Sequence, residues 1–227
     1  MNDRLKCYVL TALLFLCVTL RAVEPEGVKR PAILGVSHVT LVVKDLAAAR
    51  AHYTDLLGFK VMAEVQGDPG SASHVYLRIN DYQYYDLVAG GSEDTHVAYQ
   101  VADAEGMRRY LASKGVEVPT ASHIDPLGNP ALSVKEAEKR TVEFVQYLTG
   151  TLPVKARGTA VSSRQFSRRA FHAAIPVIDF EATRHFYQDI LGFSEILKSS
   201  YEQAPVWINY RLPEAAVYLE LALMDKS

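Results

Sequence analysis

At 227 residues, 49% of them hydrophobic and 22% charged, the chain is long enough for one or two domains with cores of their own. A formal net charge of -2, with no long block of like charge, gives no electrostatic basis for a nucleic-acid partner. The only two cysteines, Cys7 and Cys17, fall close to the N-terminus, so thiolate metal sites and cysteine nucleophiles are excluded from the remainder of the chain.

Residues 1–22 read as a secretory signal peptide. Arg4 and Lys6 form a short basic start, the run from Cys7 to Leu20 is almost wholly apolar, and cleavage is expected after Ala22. The apolar run is short for a membrane span, which needs roughly 20 residues. The expectation is therefore a periplasmic or secreted protein with no stable membrane insertion after cleavage.

A repeat organises the rest. The stretch from His38 to Phe59 overlays the stretch from His172 to Phe193 at a constant offset, matching His38 with His172, Asp45 with Asp179, Tyr53 with Tyr187 and Gly58 with Gly192. A fainter copy starts at His96, with Asp103 and Gly115 in the corresponding places. Each unit opens with a β-rich apolar run that ends at an Asp suited to N-cap a helix. The helix carries an apolar stripe (Leu46, Ala49 and Tyr53 in unit one) and stops at a Gly able to take the left-handed conformation. Strands are predicted over 59–65, 74–79 and 82–88 in unit one. In unit two they follow Gly115, then cover 131–134 and 141–147; in unit three they cover 193–198, 204–210 and 217–223. Each unit is thus βαβββ. The organisation is a first domain over 33–148, made of modules 33–90 and 94–148, a polar linker over 149–169, and a third module over 170–227.

The string from His38 to Phe59, the Tyr84-Tyr85-Asp86-Leu87 ending of unit one and the Val142-Glu143-Phe144-Val145 ending of unit two resemble the modules of the vicinal-oxygen-chelate superfamily, which includes glyoxalase, bleomycin-resistance protein and dioxygenases. The resemblance implies an α+β fold in which tandem βαβββ modules pair and their sheets curl into a U-shaped cleft. It also implies a divalent metal (Fe, Mn, Ni, Co or Zn) held by His38, Asp86, His96 and Glu143. The intervals agree with this: 48 residues separate His38 from Asp86, and 47 separate His96 from Glu143. Imidazole and carboxylate donors suit such metals. His172 and Glu220 stand at equivalent places in unit three but lack a partner module, which leaves a sheet edge exposed and makes a homodimer through that module attractive. Two departures stand out. Glu136-Ala137-Glu138-Lys139 replaces the turn that usually precedes the last strand of such a module, and Asp86 is one methylene shorter than the commoner Glu.

Three functions are consistent with this pattern, each for a small molecule, and the four-ligand set favours the first of them, with the other two as alternatives. A glyoxalase I-like isomerase or lyase would use all four ligands, with Glu143 as the displaced ligand acting as catalytic base, although glutathione-dependent chemistry is not expected outside the cytoplasm. An extradiol-type dioxygenase needs only His38, His96 and Glu143, with Asp86 a spectator. A bleomycin-resistance-type binder would use the cleft without metal. His52, His74, His123 and His185 show no paired spacing and read as ordinary, with His74 and Tyr84 as weak acid-base candidates. The tyrosines at 82, 84 and 85 read as strand packing, and Arg164, Arg168 and Arg169 as a solvated linker.

Overall fold

The computed structural model describes residues 27–224 apart from 69, 91–93, 160 and 202–203. The signal-peptide segment 1–22, with Cys7 and Cys17, lies outside the described residues. Unit one comprises β1 (Ile33–Val42), α1 (Leu46–Ala51, continuing as a π-helical turn over His52–Leu56), β2 (Lys60–Val65), β3 (Ser73–Arg78) and β4 (Tyr84–Ala89). Unit two comprises β5 (His96–Val101), α2 (Ala104–Ser113), β6 (His123–Ile124), β7 (Pro130–Lys135) and β8 (Thr141–Val145). After the short helix α3 (Leu152–Lys155), unit three comprises β9 (His172–Val177), α4 (Phe180–Arg184, continuing as a π-helical turn over His185–Ile190), β10 (Ser194–Tyr201), β11 (Ala204–Arg211) and β12 (Tyr218–Leu223). Among the described residues no helix is long and apolar enough to cross a membrane.

Local chemistry repeats with the sequence. Asp45, Asp103 and Asp179 each accept a hydrogen bond from the backbone N–H three residues on, closing the first turn of their helices. The helices end at Gly58, Gly115 and Gly192, at φ of 73°, 78° and 77°. Gly58 has a second reason to be glycine: a Cβ there would lie 2.6 Å from the carbonyl oxygen of Arg164. The 149–169 segment thus runs close against unit one. The Phe166 N–H donates to Leu57 O, and the buried Arg78 guanidinium donates to Pro153 O.

Units one and two form one eight-stranded sheet, in the order β2-β3-β4-β1-β5-β8-β7-β6. Its seam is the antiparallel β1–β5 ladder, where His38 faces Ala98 and Thr40 faces His96. That reciprocal register puts the two histidines on the same face, a short diagonal apart. β6 is only two residues long, so unit two has a weaker outer wall than unit one.

Unit three is a four-stranded sheet, in the order β10-β11-β12-β9. Its helix lies against unit two. Phe186, Tyr187, Ile190 and Phe193 share one apolar core with Tyr99, Met107, Leu111 and Phe144, while Phe59, Leu77 and Leu87 form a separate core under α1. Tyr110 Oη donates to Ile190 O across this contact at 2.6 Å. Among the described residues no strand pairs with the outer edge of β9; beside it runs an apolar groove of about 700 Å³, bounded by Val39, Leu41 and Tyr85 of unit one.

The unusual turn at 136–139 acts as a fastener. Glu136 Oε1 accepts from the N–H groups of Glu138 and Arg140 and shapes the turn, with Lys139 at a left-handed φ of 67°. This frees Glu138 to reach unit three. Its Oε1 accepts from the N–H groups of Ile178 and Asp179 at 2.9 and 2.8 Å and from Thr183 Oγ1 at 3.3 Å, while Arg140 pairs with Oε2. Burial pushes the Glu138 carboxyl up, but the Asp179 and Ile178 N–H groups and Arg140 outweigh it and hold the pKa below its usual value near 4.5. Glu138→Ala is expected to lower the unfolding free energy by about 1–3 kcal/mol in urea denaturation. Because the folded-state pKa is depressed, the carboxylate's stabilisation is complete above the unfolded value and disappears as pH falls through the folded one. The gap between wild type and variant should therefore close below about pH 4.

Candidate metal centre

The concave face of the eight-stranded sheet encloses a cavity of about 320 Å³ into which His38, Asp86, His96 and Glu143 all open. All four are buried. His38 comes from β1, Asp86 from β4, His96 from β5 and Glu143 from β8, the first and last strands of each module. The two parallel pairings, β1 with β4 and β5 with β8, bring each last strand beside its own first strand.

Within this set the structure draws three residues together. One ligand atom each from His38, His96 and Glu143 lie within 4.8 Å of one another. Glu143 Oε2 is 3.0 Å from His38 Nε2 and 3.4 Å from His96 Nε2. The His96 Nδ1–H donates to the backbone oxygen of Asp94 at 2.6 Å, leaving Nε2 as the ring atom directed at the carboxylate. His38 is stacked on Tyr84 at 4.6 Å with the rings 12° apart, which fixes its plane. Two Nε2 atoms and a carboxylate oxygen converging at the floor of an open cavity, with one ring already fixed through its far nitrogen, suit a divalent transition metal with coordination positions left free.

Asp86 lines the same cavity but its carboxylate is otherwise engaged. Both of its oxygens face the ring of His74, at 3.0 and 3.1 Å from Nδ1. His74, in the sequence only a weak acid-base candidate without a paired interval, is a wall residue of the cleft, stacked on Tyr76. On the opposite wall stand His123 and the buried Asp125, whose carboxylate accepts from the N–H groups of Leu127 and Asn129 and from the Asn129 side chain. At the rim, Lys135 is tied to Asp94 and Thr141. None of these residues has an interval in the sequence that marks it. Of the tyrosine cluster, Tyr84 belongs to the site, Tyr85 packs against Tyr53 and Phe59, and Tyr82 is exposed.

In unit three, His172 Nε2 lies 3.4 Å from Glu220 Oε2, and the His172 ring stacks on Tyr218 at 4.8 Å as His38 does on Tyr84. Among the described residues no third His, Cys, Asp or Glu joins them.

Residues 35–123 match the model of the Glyoxalase/Bleomycin resistance protein/Dioxygenase superfamily. The match covers unit one and the first part of unit two, and over those residues the chain is similar to that superfamily, the vicinal-oxygen-chelate proteins. Among solved structures it is similar to an extradiol ring-cleaving dioxygenase from B. fuscum, at 21% identity and a TM-score of 0.63, over 88% of this chain and 56% of that one. A variant of homoprotocatechuate 2,3-dioxygenase from B. fuscum matches at 20% identity and a TM-score of 0.64, over 88% and 55%. The chain thus spans about half the length of these dioxygenases, and the likeness establishes a shared fold. Methylmalonyl-CoA epimerase from Mycobacterium tuberculosis matches at 21% identity and a TM-score of 0.48, over 53% of this chain and 92% of that one.

The metal-free geometry sets a pH dependence. Burial works against a charged His96, but the hydrogen bond and charge of Glu143, with help from Asp94, outweigh it and raise the pKa above 6.5. Glu143 is affected in the opposite sense: burial pushes its carboxyl up, and the His38 and His96 rings more than reverse this, holding it well below the usual carboxylate range. A metal must therefore displace a proton from His96 but none from Glu143. At a fixed, sub-saturating level of cobalt(II), bound metal is expected to fall as pH drops from about 7.5 to about 5.5, with the midpoint above that of an ordinary histidine. The cobalt absorption band measures this.

Proposed function

We propose that the protein is an exported, divalent-metal-dependent enzyme acting on a small molecule with two neighbouring oxygens, and that its reaction is extradiol-type ring cleavage. One observation carries this reading: two imidazoles and a single carboxylate converge in the cleft, while Asp86 is committed to His74. The dioxygenase likeness, which is one of fold alone, is compatible with it. The basic and apolar N-terminal segment supports export.

A bound Fe(II) or Mn(II) would supply open positions for the two substrate oxygens and for O₂. His38, His96 and Glu143 would hold it, each from a strand rather than a loop, so their spacing is set by the sheet. His74, oriented by Asp86 through Nδ1, lines the same cavity on the unit-one wall. In the overall change one carbon–carbon bond of the ring breaks and both atoms of O₂ enter the product, so no external reductant is needed.

The glyoxalase I-like alternative has one observation in its favour: Asp86 opens into the same cavity and would become a fourth ligand if it released His74. Asp86→Ala separates the two. Retained metal stoichiometry together with ring cleavage of a catechol under air supports the three-ligand reading; loss of the metal supports the four-ligand one. Elemental analysis is the companion test. Metal should be stoichiometric in the wild type and absent from His38→Ala/His96→Ala, whereas a metal-free wild type that binds small molecules would establish a receptor instead.

A further inference from the structure

In a regular strand, neighbouring side chains point to opposite faces and cannot hydrogen-bond to each other. Ser37 and His38 break this rule: Ser37 Oγ lies 3.1 Å from His38 Nδ1. The cause is a β-bulge in the seam between the modules. On β5 the pairing steps from Tyr99 to Ala98, while on β1 it steps from Val36 to His38, so Ser37 is the extra, unpaired residue. The bulge turns a fully buried hydroxyl onto the far side of a proposed metal ligand.

The hydroxyl is not the end of the chain of contacts. Ser37 Oγ lies 2.7 Å from Tyr147 Oη, and Tyr147 Oη lies 3.0 Å from the backbone oxygen of Tyr82. Tyr147 follows β8 of unit two, and Tyr82 sits in the β3–β4 turn of unit one, so the chain of contacts spans both modules. Its proton order is set at one end. A carbonyl can only accept, so the single phenol proton of Tyr147 goes to Tyr82. The Tyr147 oxygen must then accept from the Ser37 hydroxyl, and Ser37 in turn accepts from Nδ1–H of His38. Burial pushes the Tyr147 phenol up, which keeps the first proton in place.

We propose that Ser37 and Tyr147 are positioning residues that hold the Nδ1 proton of His38 and so commit its Nε2 lone pair to the metal. The inference rests on the three-ligand metal centre for its purpose, though not for its geometry. It is particular to unit one. In unit two the matching Thr95 hydroxyl accepts from Val42 N–H and His96 is held by a backbone carbonyl instead. In unit three Phe171, which has no hydroxyl, precedes His172.

The test uses the full chain, labelled with ¹⁵N in its histidine rings and kept free of metal, with the His38 signal identified by its loss in His38→Gln. In the wild type His38 should carry a proton on Nδ1. In Tyr147→Phe, Ser37 loses its acceptor and turns to donate, so the proton should leave Nδ1 and the ring adopt the Nε2–H form. Cobalt(II) affinity, measured by chelator competition, should fall about tenfold in Tyr147→Phe and in Ser37→Ala, and no further in the double variant, because both act through one chain of contacts. A wild-type His38 without a proton on Nδ1, or a Tyr147→Phe protein with the wild-type ring form and cobalt affinity, would overturn the proposal. A wild type that binds no cobalt at all would sink the metal reading, while the ring measurement still decides the proton order.

Discussion

The site depends on one ladder, the antiparallel pairing of β1 with β5. Each module alone is a four-stranded sheet with a histidine at the start of its first strand and a carboxylate on its last. Pairing the first strands head to tail places His38 opposite Ala98 and His96 opposite Thr40, which brings the two half-sets onto one concave face. A slip of one residue would send one histidine to the helix side of the sheet and leave Glu143 with a single partner. The seam is therefore where folding and chemistry meet, and the buried apolar residues behind it, Ile33, Val36, Tyr99 and Val101, resist such a slip.

Burying a carboxylate without a partner is costly, and this cleft avoids it at every position. Glu143 is met by two imidazoles, Asp86 by His74, and Asp125 by two backbone N–H groups and an amide. These partners differ in kind. Backbone N–H groups cannot be displaced without undoing a turn, so Asp125 is structural. The imidazoles facing Glu143 are side chains held through their far nitrogens, each with Nε2 close to the carboxylate. That difference in what surrounds each carboxylate, rather than depth of burial, singles out Glu143.

The repeat made much of this legible. Three copies of one helix-capping Asp and one helix-ending Gly fixed the order of elements, and the near-equal intervals from His38 to Asp86 and from His96 to Glu143 pointed to the cleft. What stayed hidden depends on pairing between strands. His74 reaches Asp86 diagonally across the β3–β4 hairpin, where Tyr76, not His74, is the direct neighbour, and no sequence interval records that register. The bulge at Ser37 is a slip of one residue that leaves no compositional trace. The 136–139 turn reads as a departure from its relatives only while unit two is considered alone; its purpose is to hold a neighbour packed behind it.

Unit three shows how little of the site the repeat itself supplies. It keeps the histidine, the carboxylate and the stacked tyrosine of unit one in nearly the same relation, at 3.4 and 4.8 Å. Among the described residues it lacks a bulged hydroxyl, a second imidazole and a facing strand. His172 and Glu220 are, moreover, appreciably more exposed than their counterparts His38 and Glu143. In water, a lone His–Glu pair contributes little. In units one and two the same residue types, desolvated by the paired sheets and crossed with a second set, form a centre with a defined donor geometry. The modules provide the residue types, and the asymmetry between them, with the Ser37 bulge on one side and the Asp94 carbonyl on the other, holds each ring in place.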